Sequence, residues 1–148
     1  MPMSMPGNLA ELPAWARNLL EEARRAHLGL LDPDGAPRVL PVTYAVVGVD
    51  VVSAVDHKPK RVPGADLARV RWLRREPRAA LTVDRYDDDW IRLAWVQLLG
   101  VVTVEEGVDA AAASALQSRY PPYRARPPAG PLLRLTVNRT LYWTAEAS

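Results

Sequence analysis

Between His27 and Val55 the chain passes through three apolar stretches, HLGLL, PRVLPVTYAVV and VVSAV, separated only by the DPDG turn (Asp32 to Gly35) and by GVD. Connections this short cannot hold a crossover helix, so the three stretches are expected to pair as an antiparallel meander. Asp, Pro and Gly in DPDG suit a tight reversal. Pro41 falls inside the second stretch. Lacking an N–H, it requires an edge strand or a bulge at that point.

The rest of the chain surrounds this meander with more strands and a few helices. Leu12, Trp15, Leu19, Leu20 and Ala23 recur at helical spacing in LPAWARNLLEEARRA, with Pro13 suited to a first turn. DLARVRWLRRE reads as a second helix, with Asp66 as its N-cap and Pro77 closing it. RAALTVDRY reads as a fourth strand. WIRLAWVQLLGVVTVEE reads as a long one, with Ile91, Leu93, Trp95 and Gln97 on one face and Arg92, Ala94, Val96 and Leu98 on the other. Trp90 and Trp95 would then face opposite ways. VDAAAASALQSRY is expected to be a helix capped near Asp109, PPYRARPPAGP a surface loop, and LLRLTV and RTLYWTA two closing strands. The sum is a mainly β protein, a small, partly open β-barrel with peripheral helices. It forms one domain over residues 1–148, with 1–11 flexible.

Composition narrows the function. The 148 residues are 49% hydrophobic and 24% charged, enough for a core and against disorder. With no cysteine, neither a disulfide framework nor a cysteine metal site is expected. The net charge is only +2 despite a pI near 9.2. A nucleic-acid binder concentrates a larger surplus on one face, so no nucleic-acid partner is expected. No apolar run approaches the roughly 20 residues needed to span a bilayer. The opening residues also lack the pattern of a signal peptide. The expectation is a soluble, cytoplasmic protein with no membrane partner.

Catalytic signatures are sparse. His27 starts a strand and reads as structural, and no serine elbow or Ser-His-Asp order accompanies either histidine. Asp87, Asp88 and Asp89 have no second acidic cluster, so no metal site is assigned. His57, Tyr44 and Tyr86 are candidate proton donors, and the catalytic residues are left unassigned.

One stretch stands out. VDHKPKRVPG holds the only two lysines, Lys58 and Lys60, followed by Arg61, in a chain whose other cations are all arginine. These side chains lead into the N-terminus of the second helix, with Arg69 in its first turn. Basic side chains beside free helical N–H groups are suited to phosphate. No GxxxxGK[ST] or GxGxxG is present. Both a phosphate site and a solvated basic turn fit the spacing of Lys58, Lys60 and Arg69.

HLGLLDPDGAPRVLPVTY, VVSAVDHKPKR, LARVRWLRREPRAALTVDRYDDDW and LAWVQLLGVVTVEE, in that order, resemble the pyridoxamine 5'-phosphate oxidase-like superfamily of flavin and deazaflavin proteins. They are most similar to its probable F420-dependent actinobacterial branch. The resemblance spans about His27 to Glu105, and the later YPPYRARPPAGP and YWTA segments fit as well. It implies an FMN-binding split barrel that forms a homodimer, with cofactor clefts between the subunits. By the same resemblance Arg38, Pro41, Val42 and Thr43 lie beside the cofactor ring or chain. Ala54, Val55, His57, Lys58, Lys60, Arg61 and Arg69 would form the phosphate side. A further contact position, commonly glutamine in the oxidases, falls on Trp95 and could come from the other subunit.

The resemblance implies an F420-dependent oxidoreductase acting on a small-molecule substrate, with FMN as the alternative cofactor. The departure at Trp95, and the missing arginine-rich C-terminal segment, count against pyridoxamine-phosphate oxidase activity itself. A non-catalytic cofactor carrier, or a binder of haem or another tetrapyrrole, are further alternatives.

Overall fold

The two edge strands of the sheet are consecutive in the chain, and that fact shapes everything else. The computed structural model describes residues 3–55 and 67–147. Eight strands form one antiparallel sheet: β1 (Met3–Pro6), β2 (Ala26–Leu31), β3 (Pro37–Val42), β4 (Ala45–Val47), β5 (Asp50–Ala54), β6 (Arg78–Arg85), β7 (Ala94–Glu105) and β8 (Leu132–Thr144). Their order is β3-β2-β6-β7-β8-β5-β4, and β1 adds to β8. Only Thr43 and Tyr44 separate β3 from β4, so the sheet must curl until its two edges meet. No ladder joins β3 to β4; the barrel is split there and closed covalently.

The expected three-strand meander is corrected at this seam. The second stretch breaks into β3 and β4, which do not pair with each other: β3 pairs β2, while β4 pairs β5, which pairs β8. The cause is Tyr44, which is fully buried and pulls the backbone out of extended pairing. Its hydroxyl lies 2.6 Å from the Leu20 carbonyl oxygen and 3.1 Å from that of Ala23, at the end of helix α1 (Ala14–Glu22). These are carbonyls that a helix end leaves without intrahelical partners. Pro41 lies on an edge strand, as its missing N–H requires.

The DPDG turn forms as expected. Asp32 Oδ1 accepts from the N–H of Asp34 and of Ala36, and Gly35 takes φ +77°. Helix α2 (Ala68–Arg75) begins after Leu67, which offers no side-chain cap, and the suggested cap Asp66 lies outside the described residues. Helix α3 (Ala110–Arg119) is capped by Asp109, whose carboxylate accepts from the Ala112 N–H.

Three further expectations are revised. Trp90–Arg92 is a 3-10 turn, so the long strand starts at Ala94 and Trp90 is not on it. The proline-rich segment holds a short helix, α4 (Pro122–Ala125), with Tyr123 buried. The two closing strands are one, β8. Residues 3–11 contain β1 and a 3-10 turn whose Leu9 is buried.

The register shift between Leu99 and Gly100 leaves Asn138 of β8 without an opposite residue. The Asn138 carbonyl accepts from Gly7 N–H, which continues the attachment begun by the β1–β8 ladder. A Cβ on Gly100 would lie 2.0 Å from the Thr136 carbonyl oxygen, closer than any side chain can approach.

Alternation along the strands separates two faces. Leu28, Leu30, Leu81, Val83, Val96 and Leu98 fill the barrel with Ala16, Leu19 and Leu20 of α1 and with Leu73 of α2. Outside the barrel, α3 and α4 cover β4, β5 and the start of β8 with Ala112, Leu116, Tyr120 and Tyr123. No described helix covers the outer face of β3, β2, β6 and β7. That face remains bare.

Replacing Gly100 by Ala should cost about 1–3 kcal/mol, because a backbone carbonyl must move to admit the methyl group. Urea unfolding checks this as a fall in midpoint at unchanged slope; an unaltered midpoint would show that the β7–β8 crossing has slack.

Candidate functional site

The bare face begins at the edge strand β3, and the site is built from there. Pro37, Val39 and Pro41 pair in register with Leu31, Gly29 and His27 of β2. Further strands continue these rows through Ala80 and Thr82 to Leu99 and Gln97. Val39 is 66% exposed, an uncommon cost for a β-branched side chain on a regular strand. Gly29, Leu31, Val39, Ala80 and Leu99, bordered by Arg38 and Arg78, line an open, mostly apolar groove of about 380 Å³.

Arg38 marks the rim of this groove. Its guanidinium carbon stands 4.8 Å from the centre of the Trp72 ring, and its Nη1 lies 3.6 Å from Asp32 Oδ2. The side chain remains about half exposed, so the stack orients the cation without consuming its charge. Trp72 belongs to α2, and Arg69 precedes it by three residues, hence on the same side of the helix. Leu67 itself provides no side-chain cap for the first N–H groups of α2. Trp72, the fifth residue of α2, thus holds Arg38 against the body of that helix, with Arg69 one turn nearer its N-terminus.

The other candidate residues divide into three groups. Pro41 is exposed on the bare face and Thr43 is half-buried, its Oγ1 3.1 Å from the Tyr123 hydroxyl. Val42, Ala54 and Val55 bury their side chains, which leaves only their backbone groups to meet a ligand; Val55 N–H already donates to the Pro131 carbonyl. His57, Lys58, Lys60 and Arg61 lie outside the described residues.

Trp95 is half-buried on the bare face, between Asp84 of β6 and Trp143 of β8. Three strand spacings and about five residues separate it from Arg38, on the order of 20 Å along the sheet. One chain does not bring these two candidates together.

Of the candidate proton donors, Tyr86 is 68% exposed and sits in the β6–β7 connection. Tyr44 is removed from the candidates: it is buried under the Arg119 guanidinium, 4.7 Å from its ring centre, and its hydroxyl donates to backbone carbonyls. Burial pushes its phenol far above the ordinary value of 10, a rise that Arg119 only partly opposes. Two contributors escape the sequence reading, Trp72 and Val39. The first looked like one position on an amphipathic helix, and the second like ordinary strand filler.

Tyr44 makes a pH prediction. Below pH 10 the phenol is protonated both folded and unfolded, so no pH dependence arises from it. Above that value the unfolded chain releases the proton while the folded chain holds it, and stability falls with rising pH. Denaturant melts between about pH 8 and 11 should show a decline that is shallower in Tyr44→Phe. Equal slopes would mean the phenol ionises as readily in the fold.

The model for the pyridoxamine 5'-phosphate oxidase family matches residues 12–144. No curated protein matches the chain. Among solved structures, a conserved hypothetical protein, Rv2991, from Mycobacterium tuberculosis is 20% identical with a TM-score of 0.72, the match covering 90% of this chain and 85% of that one. A haem-binding protein from Mycobacterium smegmatis is 24% identical with a TM-score of 0.68, over 89% of this chain but 57% of its own. A structure described as F420 reductase is 20% identical with a TM-score of 0.61, over 89% and 98% of the two chains. At these identities the likeness is one of fold.

Proposed function

The chain belongs to the pyridoxamine 5'-phosphate oxidase family, and from that footing we propose that it is an F420-dependent oxidoreductase acting on a small organic acceptor. The observation that carries the reading is the Arg38–Trp72 stack, which ties a half-exposed cation at the rim of the apolar groove to α2, the helix that the basic stretch leads into. A planar ring with an anionic tail fits that combination: apolar strand surface for the ring, guanidinium and helical N–H groups for the phosphate. Lys58, Lys60 and Arg61 precede α2 in the chain and would add charge to the same anion. F420 carries more negative charge than FMN, which favours it where cations are this many.

When bound, the cofactor supplies the hydride chemistry. The chain's own part is to anchor the phosphate, orient the ring against Val39, Pro41 and Leu99, and exclude water. The groove is too open to do the last alone. A second copy laid on the bare face would complete the enclosure and bring its own Trp95 to the first copy's Arg38, two positions too distant within one chain. The protein is accordingly proposed to act as a homodimer.

The test is a parallel titration of the purified protein with F420 and with FMN, followed by fluorescence quenching. F420 should saturate at the lower concentration. Preference for FMN would transfer the reading to flavin chemistry, and a Soret band in the purified protein would move it to a tetrapyrrole, in keeping with the haem-binding structural relative. If none binds, the function fails while the fold stands.

Replacing Lys58 and Lys60 together by Ala should weaken cofactor binding by about tenfold or more for each charge-assisted hydrogen bond removed. Arg38→Ala should do likewise and leave the unfolding midpoint nearly unchanged, since Arg38 is half exposed. Unchanged affinity in both would reduce the cations to surface charge. Sedimentation should give twice the 16.4 kDa chain mass; a stable monomer would remove the shared cleft.

A further inference from the structure

His27, which reads from the sequence as structural, is exposed. Ala26 and Leu28 on either side of it are buried, and the alternation of β2 turns its imidazole onto the bare face. Among the described residues it makes no hydrogen bond or ion pair. Tyr44 is sealed in the seam and Tyr86 lies past the end of β6, so neither phenol meets the groove.

Two rows of side chains across the sheet decide what His27 can reach. One runs Val39, Gly29, Ala80 and Leu99; the next runs Pro41, His27, Thr82 and Gln97. They are two residues apart, about 7 Å along the strands. In the first row Gly29 and Ala80 make a flat floor between Val39 and Leu99. The backbone does not require this glycine: its φ is not positive, and a Cβ there would stand 3.8 Å from the Ala80 carbonyl oxygen, an ordinary contact. Glycine weakens a strand, and one that the fold does not need suits the close approach of a ligand. His27 stands directly opposite Pro41 in the β2–β3 ladder, so a planar ring laid on this floor and against Pro41 has the imidazole at its edge.

The second row is built to orient that imidazole. Gln97 Nε2 donates to Thr82 Oγ1 at 3.2 Å, and Thr82 is the partner of His27 across the β2–β6 ladder. A hydroxyl oxygen has two lone pairs, so Thr82 can accept from an imidazole N–H as well. The other ring nitrogen is then left to face the groove. The charged groups on the same face of β6 are Arg78, at the groove, and Asp84, diagonal to His27; β3 presents only Pro37, Val39 and Pro41 there.

We propose that His27 is the proton donor of the reaction. The inference rests on the oxidoreductase reading above and names the catalytic side chain which that reading lacks. Hydride transfer from the reduced deazaflavin forms a C–H bond at the electrophilic carbon of a conjugated acceptor and leaves negative charge on the acceptor's oxygen or α-carbon. An imidazolium N–H bond of His27 breaks, its proton joins that atom, and the neutral imidazole regains a proton from water. The oxidised ring releases one proton to solvent, which balances the one His27 takes up, and the acceptor is reduced by two electrons.

The chain has two histidines, so its imidazole NMR signals are assigned by their loss in His27→Gln and in His57→Gln. Saturation with F420 should shift the His27 signals. In single turnovers of bound reduced F420 against a panel of quinones and enones, His27→Gln should be slower by about a hundredfold or more. F420 affinity, read by fluorescence quenching, should be unchanged in that variant, and free imidazole should restore part of the rate to His27→Ala. An unmoved His27 signal with F420 bound, a wild-type rate in His27→Gln, or a slowing that tracks weaker F420 binding would each overturn the proton donor and leave the cofactor reading intact. Failure of the wild-type protein to bind F420, or to oxidise its reduced form with any acceptor of the panel, would end both.

Discussion

The two-residue junction between β3 and β4 governs this molecule. Thr43 and Tyr44 connect the two edges of a curled sheet, and no ladder pairs β3 with β4 across the seam. Its integrity rests on side chains. Tyr44 reaches the last carbonyls of α1, and its own N–H donates to the Tyr120 hydroxyl at 3.1 Å. Arg119 lies over the Tyr44 ring, donates to the Glu21 carbonyl at 2.8 Å, and also reaches the Ala23 carbonyl. Tyr120 donates to the Arg24 carbonyl at 3.0 Å. A helix end, a strand break and the end of α3 are thereby tied in one network of buried polar groups, each of which would be costly if left unpaired.

Because the seam is closed from the inside, the edge strand β3 can leave its outer surface uncovered. The barrel takes its apolar burial from α1 and α2, and the seam side takes more from α3 and α4. The remaining outer face carries Val39, Leu99 and Trp95 without a described helix over it. An apolar face of this kind is suited to being covered by a ligand or partner.

Arg134 stabilises the opposite side by a different means. It binds Glu105 through two nitrogens at 2.9 and 3.2 Å, and Asp109 at 2.7 Å, with Asp50 at 3.7 Å. The Glu105 hydrogen bond holds the guanidinium still more firmly protonated than usual. The α3 N-cap is therefore joined to β7 and to β5 through one cation. That anchoring keeps α3, and with it Arg119 and Tyr120, at the seam.

The sequence by itself determined the kind of structure: turn residues at Asp32–Gly35, period-two strands and helical repeats at Leu12–Ala23 are local signals, and local sterics enforce them. It also narrowed Pro41 to an edge strand or a bulge, because a missing N–H acts wherever the strand lies, and determined the Asp109 cap, because capping is a contact across three residues. Family likeness in the motifs carried the fold further than periodicity did. What only the tertiary structure decided depends on partners distant in the chain. The break at Tyr44 exists because carbonyls some 20 residues earlier need its hydroxyl. The 3-10 turn at Trp90 exists because Asp87 and Asp89 bind local N–H groups before the strand can begin, a competition that an apolar pattern does not reveal. The stack of Arg38 on Trp72, and the wide separation of Arg38 from Trp95, follow from strand order alone, which no alternation of side chains encodes.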